Sequence, residues 1–538
     1  MTGYRPEEVV LPLLVRERAE HDGDRPYLLD VEGGSFTYRQ LHERALRWAR
    51  VLMRLGVQPG DMVATMLHNT AENYAVWFGI AWAGAVEVPI NVALQGSVLA
   101  HQLRLPEARL LIADDAALPA VAAVAGEVPR LHTVLRQQGG SEPVGGLTGH
   151  SAAELLAAVP DEPGRAYAQP QMWDIASVIY TSGTTGPSKG VLMPWGQLHA
   201  GQLLTVAGIE SGPSPDKVIY VNGPPNHVQA KGAAAAMAML GGVAVMRHTF
   251  SGKAFWDEVR RFRATDTGLV GAMAQFLLSA PPAPGDAGTS LTNVLMAPVV
   301  PAVDEFNERF GTRVWSAYNM TEISVPTWLP HWQAGDVPNC GWAREGYPFY
   351  QLRIVDEHDY DVAPGEVGEL VLRTEVPWTL NAGYLNMPEA TVAAWRNGWF
   401  HTGDAFRCDE HGRYFFVDRL KDTIRRRGEN VSSYEVEAEA IRHPAVRECA
   451  AIAVPADDVE DEIKLVVVRE PGAGLAAEQL WDYLDPRLPR FMVPRYLHFV
   501  DELPKTPTLR VQKALISRSI AAADGVHDRT RTGARHHG

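Results

Sequence analysis

The segment Tyr180-Thr181-Ser182-Gly183-Thr184-Thr185-Gly186-Pro187-Ser188-Lys189-Gly190 gathers five Ser or Thr hydroxyls, three glycines and one lysine. Hydroxyls, and backbone N–H groups left accessible by glycine, suit the oxygens of a triphosphate, and Lys189 adds a point positive charge. The Gly-x-x-x-x-Gly-Lys-Ser/Thr spacing is absent, so this is not the Walker loop. A flexible surface loop can share such a composition, but the ordered string favours a phosphate cradle. Its candidate contacts are Thr181, Ser182, Gly183, Thr184, Thr185, Gly186 and Lys189.

Something must hold that cradle, and an apolar run, residues 176–180, leads directly into it as a strand. The first 170 residues alternate helical and strand patterns, such as the amphipathic 38–55 followed by the apolar 62–66, which predicts an α/β sheet packed by helices on both faces. Residues 233–245 read as a buried helix passing into a buried strand, too short to span a bilayer. From Ile354 short strands with turn signals, as in 361–373, predict an antiparallel β subdomain. After Arg419 a helix (433–443), two strands (449–454, 463–468) and a second helix (476–484) form a small α+β unit. The expected organisation is α/β: residues 1–420 comprise two α/β subdomains plus a β subdomain, 421–520 a small C-terminal α+β domain, and 521–538 a polar, disordered tail.

Composition narrows the partners. With 538 residues, 46% of them apolar, the chain can bury several cores. A formal charge of −15 argues against broad contact with nucleic acid or anionic membrane. The three cysteines, Cys340, Cys408 and Cys449, are too far apart in sequence for a zinc or disulfide framework. With an N-terminus that lacks a signal-peptide pattern, they fit the cytoplasm.

Several separated motifs occur in one order: Phe36-Thr-Tyr38, Gly60-Asp61, Gly84-Ala-Val86, the cradle, Trp315-Ser-Ala-Tyr318-Asn-Met-Thr321-Glu322, Gly398-Trp-Phe-His401-Thr402-Gly403-Asp404 and Asp418-Arg419-Leu420-Lys421-Asp422. From about residue 36 to 515 the chain resembles the adenylate-forming superfamily of acyl-CoA synthetases, luciferase-like enzymes and peptide adenylation domains, with acyl-CoA ligase-like members nearest. The resemblance implies that Tyr318 packs on adenine, Thr321 meets the α-phosphate and Glu322 holds Mg²⁺, an ion that prefers one or two carboxylates plus phosphate oxygens. It implies that Asp404, helped by Arg419, bonds the ribose hydroxyls, that a mobile C-terminal domain pivots at Lys421, and that residues 424–431, including Gly428, line a pantetheine tunnel; the basic run there also reads as a solvated face.

The substrate walls implied by the same resemblance are His227, Lys231, Gly271, Met273, Met296 and Ser316. Lys231 is expected to face an anionic substrate. His227 reads equally as a pocket residue and as a satisfied core histidine. Where the family has Pro-Lys-Thr-x-x-Gly-Lys, this chain has Pro504-Lys505-Thr-Pro-Thr-Leu509-Arg510, so the usual catalytic lysine is an arginine. Arg keeps the charge but not the geometry of an ammonium, and Leu lacks the backbone freedom of Gly. Three explanations stand open: Arg510 takes the role, Lys505 or Lys513 reaches in, or the substrate does not need the clamp.

These motifs imply an AMP-forming ligase that uses ATP and Mg²⁺ to activate an oxyacid, most simply a carboxylate, with CoA as acceptor. Two alternatives are nitrite activation for diazotisation of an aryl amine in bacterial secondary metabolism, and a catalytically silent nucleotide-binding homologue.

Overall fold

The computed structural model describes residues 5–181, 188–208, 216–332, 336, 339–420, 424–426, 429–455, 461–488, 490, 492–506, 511–521 and 524–530. The chain packs as two compact units. The first is Met1–Asp336, Gly341–Gln351 and Arg373–Gly398; the second is Val337–Cys340, Leu352–Leu372 and Trp399–Gly538. The expected 420/421 boundary lies inside the last segment of the second unit.

Two largely parallel sheets organise the first unit. One runs in the order Thr148–Ser151, Thr133–Arg136, Leu110–Ala113, Met62–Met66, Val86–Pro89 and Ile175–Thr181, all parallel, with Lys189–Pro194 antiparallel at the edge. In the other, Pro26–Asp30, Val243–Met246, Val218–Val221, Asp266–Leu269, Asn293–Met296 and Arg313–Tyr318 are parallel, flanked by antiparallel Ser35–Thr37 and Thr327–Leu329. Parallel strands need helical crossovers and are covered on both faces, which is why their sequences are nearly continuously apolar.

The helices Leu11–His21, Tyr38–Arg54, Ala71–Trp82, Trp195–Gly208 and Val228–Leu240 share one core with residues of both sheets, built around Trp48, Trp77 and Trp195. Tyr38–Arg54 starts where Thr37 and Gln40 cap each other reciprocally, and it buries Leu41, Ala45, Trp48 and Leu52 at helical spacing. In Ala71–Trp82 every residue but Glu72 is buried. That lone carboxylate is satisfied by the Trp48 Nε1–H at 2.7 Å and by Arg44.

In the second unit, Trp399–Cys408 pairs antiparallel with Arg413–Arg419. The helix Ser433–Ala440 is fastened to this hairpin because Asp418 accepts from Ser433 N at 2.6 Å and from its hydroxyl at 2.7 Å, while Ser432 Oγ donates to Val417 O. This fastening is the physical reason the hairpin groups with the C-terminal elements. Farther along, Val446–Pro455, Asp461–Arg469 and Tyr496–Val500 form a sheet against Ser433–Ala440 and Ala477–Leu484, with Trp481 at its core.

The expected disordered tail, 521–538, is corrected over residues 524–530. Val526–Asp528 adds an antiparallel edge strand to Tyr496–Val500, with Val526 buried, Asp528 paired to Arg495 and Arg529 paired to Asp485. Its three residues are too short and polar a run for periodicity to reveal. Deleting residues 524–538 is expected to destabilise the second unit by about 2 kcal/mol, the scale of burying one Val, read as a lower urea midpoint. Residues 531–538 lie outside the described part of the chain.

Candidate active site

Thr181 ends its strand directly opposite Lys189, which begins the next, and Thr181 Oγ1 donates to Lys189 O at 3.5 Å. Residues 182–187, and so Ser182, Gly183, Thr184, Thr185 and Gly186, lie outside the described residues. The two strands therefore bring both ends of the hydroxyl-rich segment side by side.

A residue not singled out from sequence organises the rest. Tyr384 places its ring 4.7 Å from Lys189 Nζ, while its hydroxyl donates to Glu322 Oε1 at 2.9 Å. The segment carrying it runs beside Lys189–Pro194 through Ala382 N to Leu192 O, Leu192 N to Gly383 O and Leu385 N to Gly190 O. Gly383 is required there: its φ is +105°, and a Cβ would meet Thr391 Cγ2 at 2.7 Å. The signal in the sequence was the short string Asn381-Ala-Gly-Tyr384.

Glu322 follows the strand Arg313–Tyr318 and is 5% exposed. Its turn is braced by buried amides, because Asn381 N and Nδ2 donate to Glu322 O at 3.1 and 2.8 Å, and Gln197 Nε2 donates to Thr321 O and Ile323 O at 2.9 and 3.1 Å. Gln197 lies in the helix that directly follows Lys189–Pro194. One strand–helix element thus presents Lys189 and holds the Glu322 turn. A buried carboxylate contacted by a neutral phenol is an oxygen donor of the kind a divalent cation accepts.

The carboxyl ends of the second sheet gather most of the expected substrate residues. Met296 and Tyr318 end adjacent strands, Gly271 opens the helix after Asp266–Leu269 and precedes Met273, and Ser316 Oγ donates to Met296 O at 2.8 Å. Tyr318 is largely buried, with its hydroxyl 3.7 Å from Met320 Sδ. His227 caps the helix Val228–Leu240, its Nδ1 accepting from Gln229 N at 3.2 Å. Its ring is thus in use at the helix end.

Lys231 does not face a substrate. It is 2% exposed, its ammonium lies 2.5 Å from Glu87 Oε2 and 3.7 Å from the Trp77 ring, and Ser177 Oγ donates to the same carboxylate at 2.8 Å. The expectation fails because the partner comes from a strand 144 residues earlier, which spacing cannot show. Lys231→Met is expected to cost about 3–5 kcal/mol by leaving Glu87 buried and unpaired. The double variant Lys231→Met/Glu87→Leu is expected to recover most of that in urea unfolding.

Within the second unit, Asp404 and Arg419 face each other across the hairpin, with Arg419 Nε 3.2 Å from Asp404 Oδ1. The strand backbone before Asp404 is held by specific bonds: Gly403 has φ +70°, its N–H donates to Glu369 at 2.9 Å, and Thr402 Oγ1 donates to Leu370 O at 2.7 Å. Lys505 pairs with Glu448 at 2.6 Å, and Lys513 pairs with Glu437 at 2.8 Å and donates to Ser433 Oγ. Arg426, in the basic run expected to line a tunnel or face solvent, is buried against Glu462 at 2.7 Å. Lys421, Gly428 and Arg510 lie outside the described residues.

Residues 15–385 match the family described as AMP-binding enzyme, and residues 435–509 match the AMP-binding enzyme C-terminal domain. The chain belongs to the AMP-binding enzymes. The crotonobetaine/carnitine–CoA ligase of Salmonella arizonae is 32% identical over 495 residues, covering 89% of this chain and 92% of that protein. ATP-bound MatB of Rhodopseudomonas palustris is 27% identical with a TM-score of 0.80, over 94% of this chain and 97% of that one. An anthranilate CoA ligase in complex with anthranoyl-AMP has a TM-score of 0.82 at 24% identity, over 94% and 96%, a likeness of fold. The expected α/β architecture with a smaller α+β C-terminal part is the architecture of this AMP-binding enzyme. Among the described residues no helix is long and apolar enough to cross a membrane.

Proposed function

We propose that this AMP-binding enzyme activates a carboxylic acid as its AMP anhydride and passes the acyl group to CoA. The observation that carries the reading is the arrangement of Lys189, Tyr384 and Glu322, a cation and a carboxylate held on two sides of one phenol at the mouth of the hydroxyl-rich segment. Similarity to ligases named for acyl-CoA formation supports the acceptor.

In the first half-reaction the acid's carboxylate oxygen attacks the α-phosphorus of ATP. A new O–P bond forms, the α–β bridging bond breaks, and pyrophosphate leaves. The protein's part is placement and charge stabilisation, with Thr181 and Lys189 on the phosphate tail and Arg510 as the proposed clamp. Glu322 would hold Mg²⁺, which supplies neutralising charge to the phosphates. Asp404, positioned by Arg419, is proposed to accept from the ribose hydroxyls. In the second half-reaction the CoA thiol, losing its proton, attacks the acyl carbonyl and AMP leaves.

The test is a pyrophosphate-release panel across carboxylic acids with and without CoA, with nitrite plus aryl amines as a further arm. Acid-dependent pyrophosphate and AMP, with CoA consumed into a thioester, is the expected result. Pyrophosphate release only with nitrite and an amine, or ADP as the nucleotide product, would overturn the reading.

A further inference from the structure

The carboxyl ends of the second sheet hold a polar feature that the nucleotide chemistry does not use. Gln229 lies in the first turn of Val228–Leu240, two residues past the His227 cap. Its carboxamide rests over Gly268, inside the strand Asp266–Leu269: a Cβ at 268 would fall 2.1 Å from Gln229 Nε2, and one at Gly223 would stand 3.7 Å from Oε1. Glycine within a strand marks the close approach of another group, and here that group is an amide.

The half-buried carboxamide of Gln229 has no hydrogen-bond partner among the described residues. Asn222, beside Gly223 and 4% exposed, likewise has no partner for its Nδ2. The buried Asn222 amide costs free energy unless something completes it, and the partly exposed Gln229 carboxamide is open to a partner. In open α/β sheets ligands bind outside the carboxyl ends of the strands, where Val221, Leu269 and Met296 end. The nearby ammonium of Lys231 is already matched by Glu87, so it leaves no charge for a second carboxylate. What this corner offers is neutral hydrogen bonding.

We propose that Gln229, assisted by Asn222, recognises a hydroxyl, oxo or aryl amino substituent on the acyl part of the acid, so that the enzyme selects polar-substituted carboxylic acids over hydrocarbon ones. The inference rests on the acid-activating reading above. A site built to bond a substrate's polar group rejects an analogue lacking it far more strongly than an apolar pocket separates homologues.

The experiment compares acid-dependent pyrophosphate release for size-matched pairs: 4-methylbenzoate with 4-hydroxybenzoate and 4-aminobenzoate, and 4-methylpentanoate with 4-oxopentanoate. Wild type is expected to favour the polar member of each productive pair more than tenfold in kcat/KM. Gln229→Leu is expected to reduce that ratio at least tenfold while leaving the KM for ATP unchanged. Gly268→Ala, whose added methyl displaces only the flexible end of Gln229, is expected to shift the ratio the same way with an unchanged urea midpoint, and it serves if the first variant folds poorly. A ratio near one in wild type, or a ratio that neither variant moves more than twofold, overturns the inference. No pyrophosphate with any acid of either kind overturns the acid-activating reading itself, and this inference with it.

Discussion

Glu322→Gln is expected to lower acid-dependent pyrophosphate release by roughly 10²–10³-fold, because it removes the one anionic oxygen donor proposed for the metal while keeping the side chain's shape. Charge stabilisation by a bound metal is worth several kcal/mol, and each 1.4 kcal/mol is about tenfold in rate. The variant should stay folded, since its turn is braced through backbone carbonyls by Asn381 and Gln197 and the Gln carbonyl oxygen can still accept from Tyr384. Tyr384 permits a graded comparison. Tyr384→Phe keeps the ring beside Lys189 and removes the hydroxyl that donates to Glu322, a bond to a charged group worth about 1.5–3 kcal/mol, so a loss of roughly ten- to a hundredfold is expected. Tyr384→Leu removes both contacts and should fall further. Steady-state pyrophosphate release over a Mg²⁺ titration checks all three; equal activity of Glu322→Gln and wild type at saturating Mg²⁺ would refute the role.

The second large effect concerns the clamp. Arg510→Ala is expected to lower adenylation about 10²–10³-fold, the scale of losing one group aimed at developing charge, and to leave thioester formation from supplied acyl-AMP within a few fold of wild type. The competing accounts require Lys505 or Lys513 to reach in. Both are engaged within their own unit, Lys505 with Glu448, and Lys513 with Glu437 and Ser433. Lys505→Ala should therefore change either half-reaction by only a few fold, and Lys513→Ala should act mainly through stability by leaving Glu437 short of its ion-pair partner. Adenylation that survives Arg510→Ala but is abolished by Lys505→Ala would transfer the role to the lysine.

Much of this architecture was legible in the residues because the signals were local. The apolar run before Thr181 and the strand at 62–66 appear where periodicity placed them, and the helix predicted at 38–55 ends one residue earlier. The hydroxyls and lysine of the 180–190 segment stood out by type alone. What failed to show was always a matter of partnership across distance. Lys231 looked like a substrate contact because nothing near it in the chain reveals Glu87. Tyr384 went unnoticed because an aromatic after glycine is common, and its importance lies in touching Lys189 and Glu322 from 195 and 62 residues away in sequence. The edge strand Val526–Asp528 depends on pairing with Tyr496–Val500 and on the countercharge of Arg495, both about thirty residues away in sequence.

The phenol between Lys189 and Glu322 has one more consequence. Were the two charges in direct contact, an arriving polyphosphate and its counterion would first have to prise them apart, and the opening step would limit capture. Here the phenol meets the ammonium with its ring and the carboxylate with its hydroxyl, so the two charges need not be neutralised by each other.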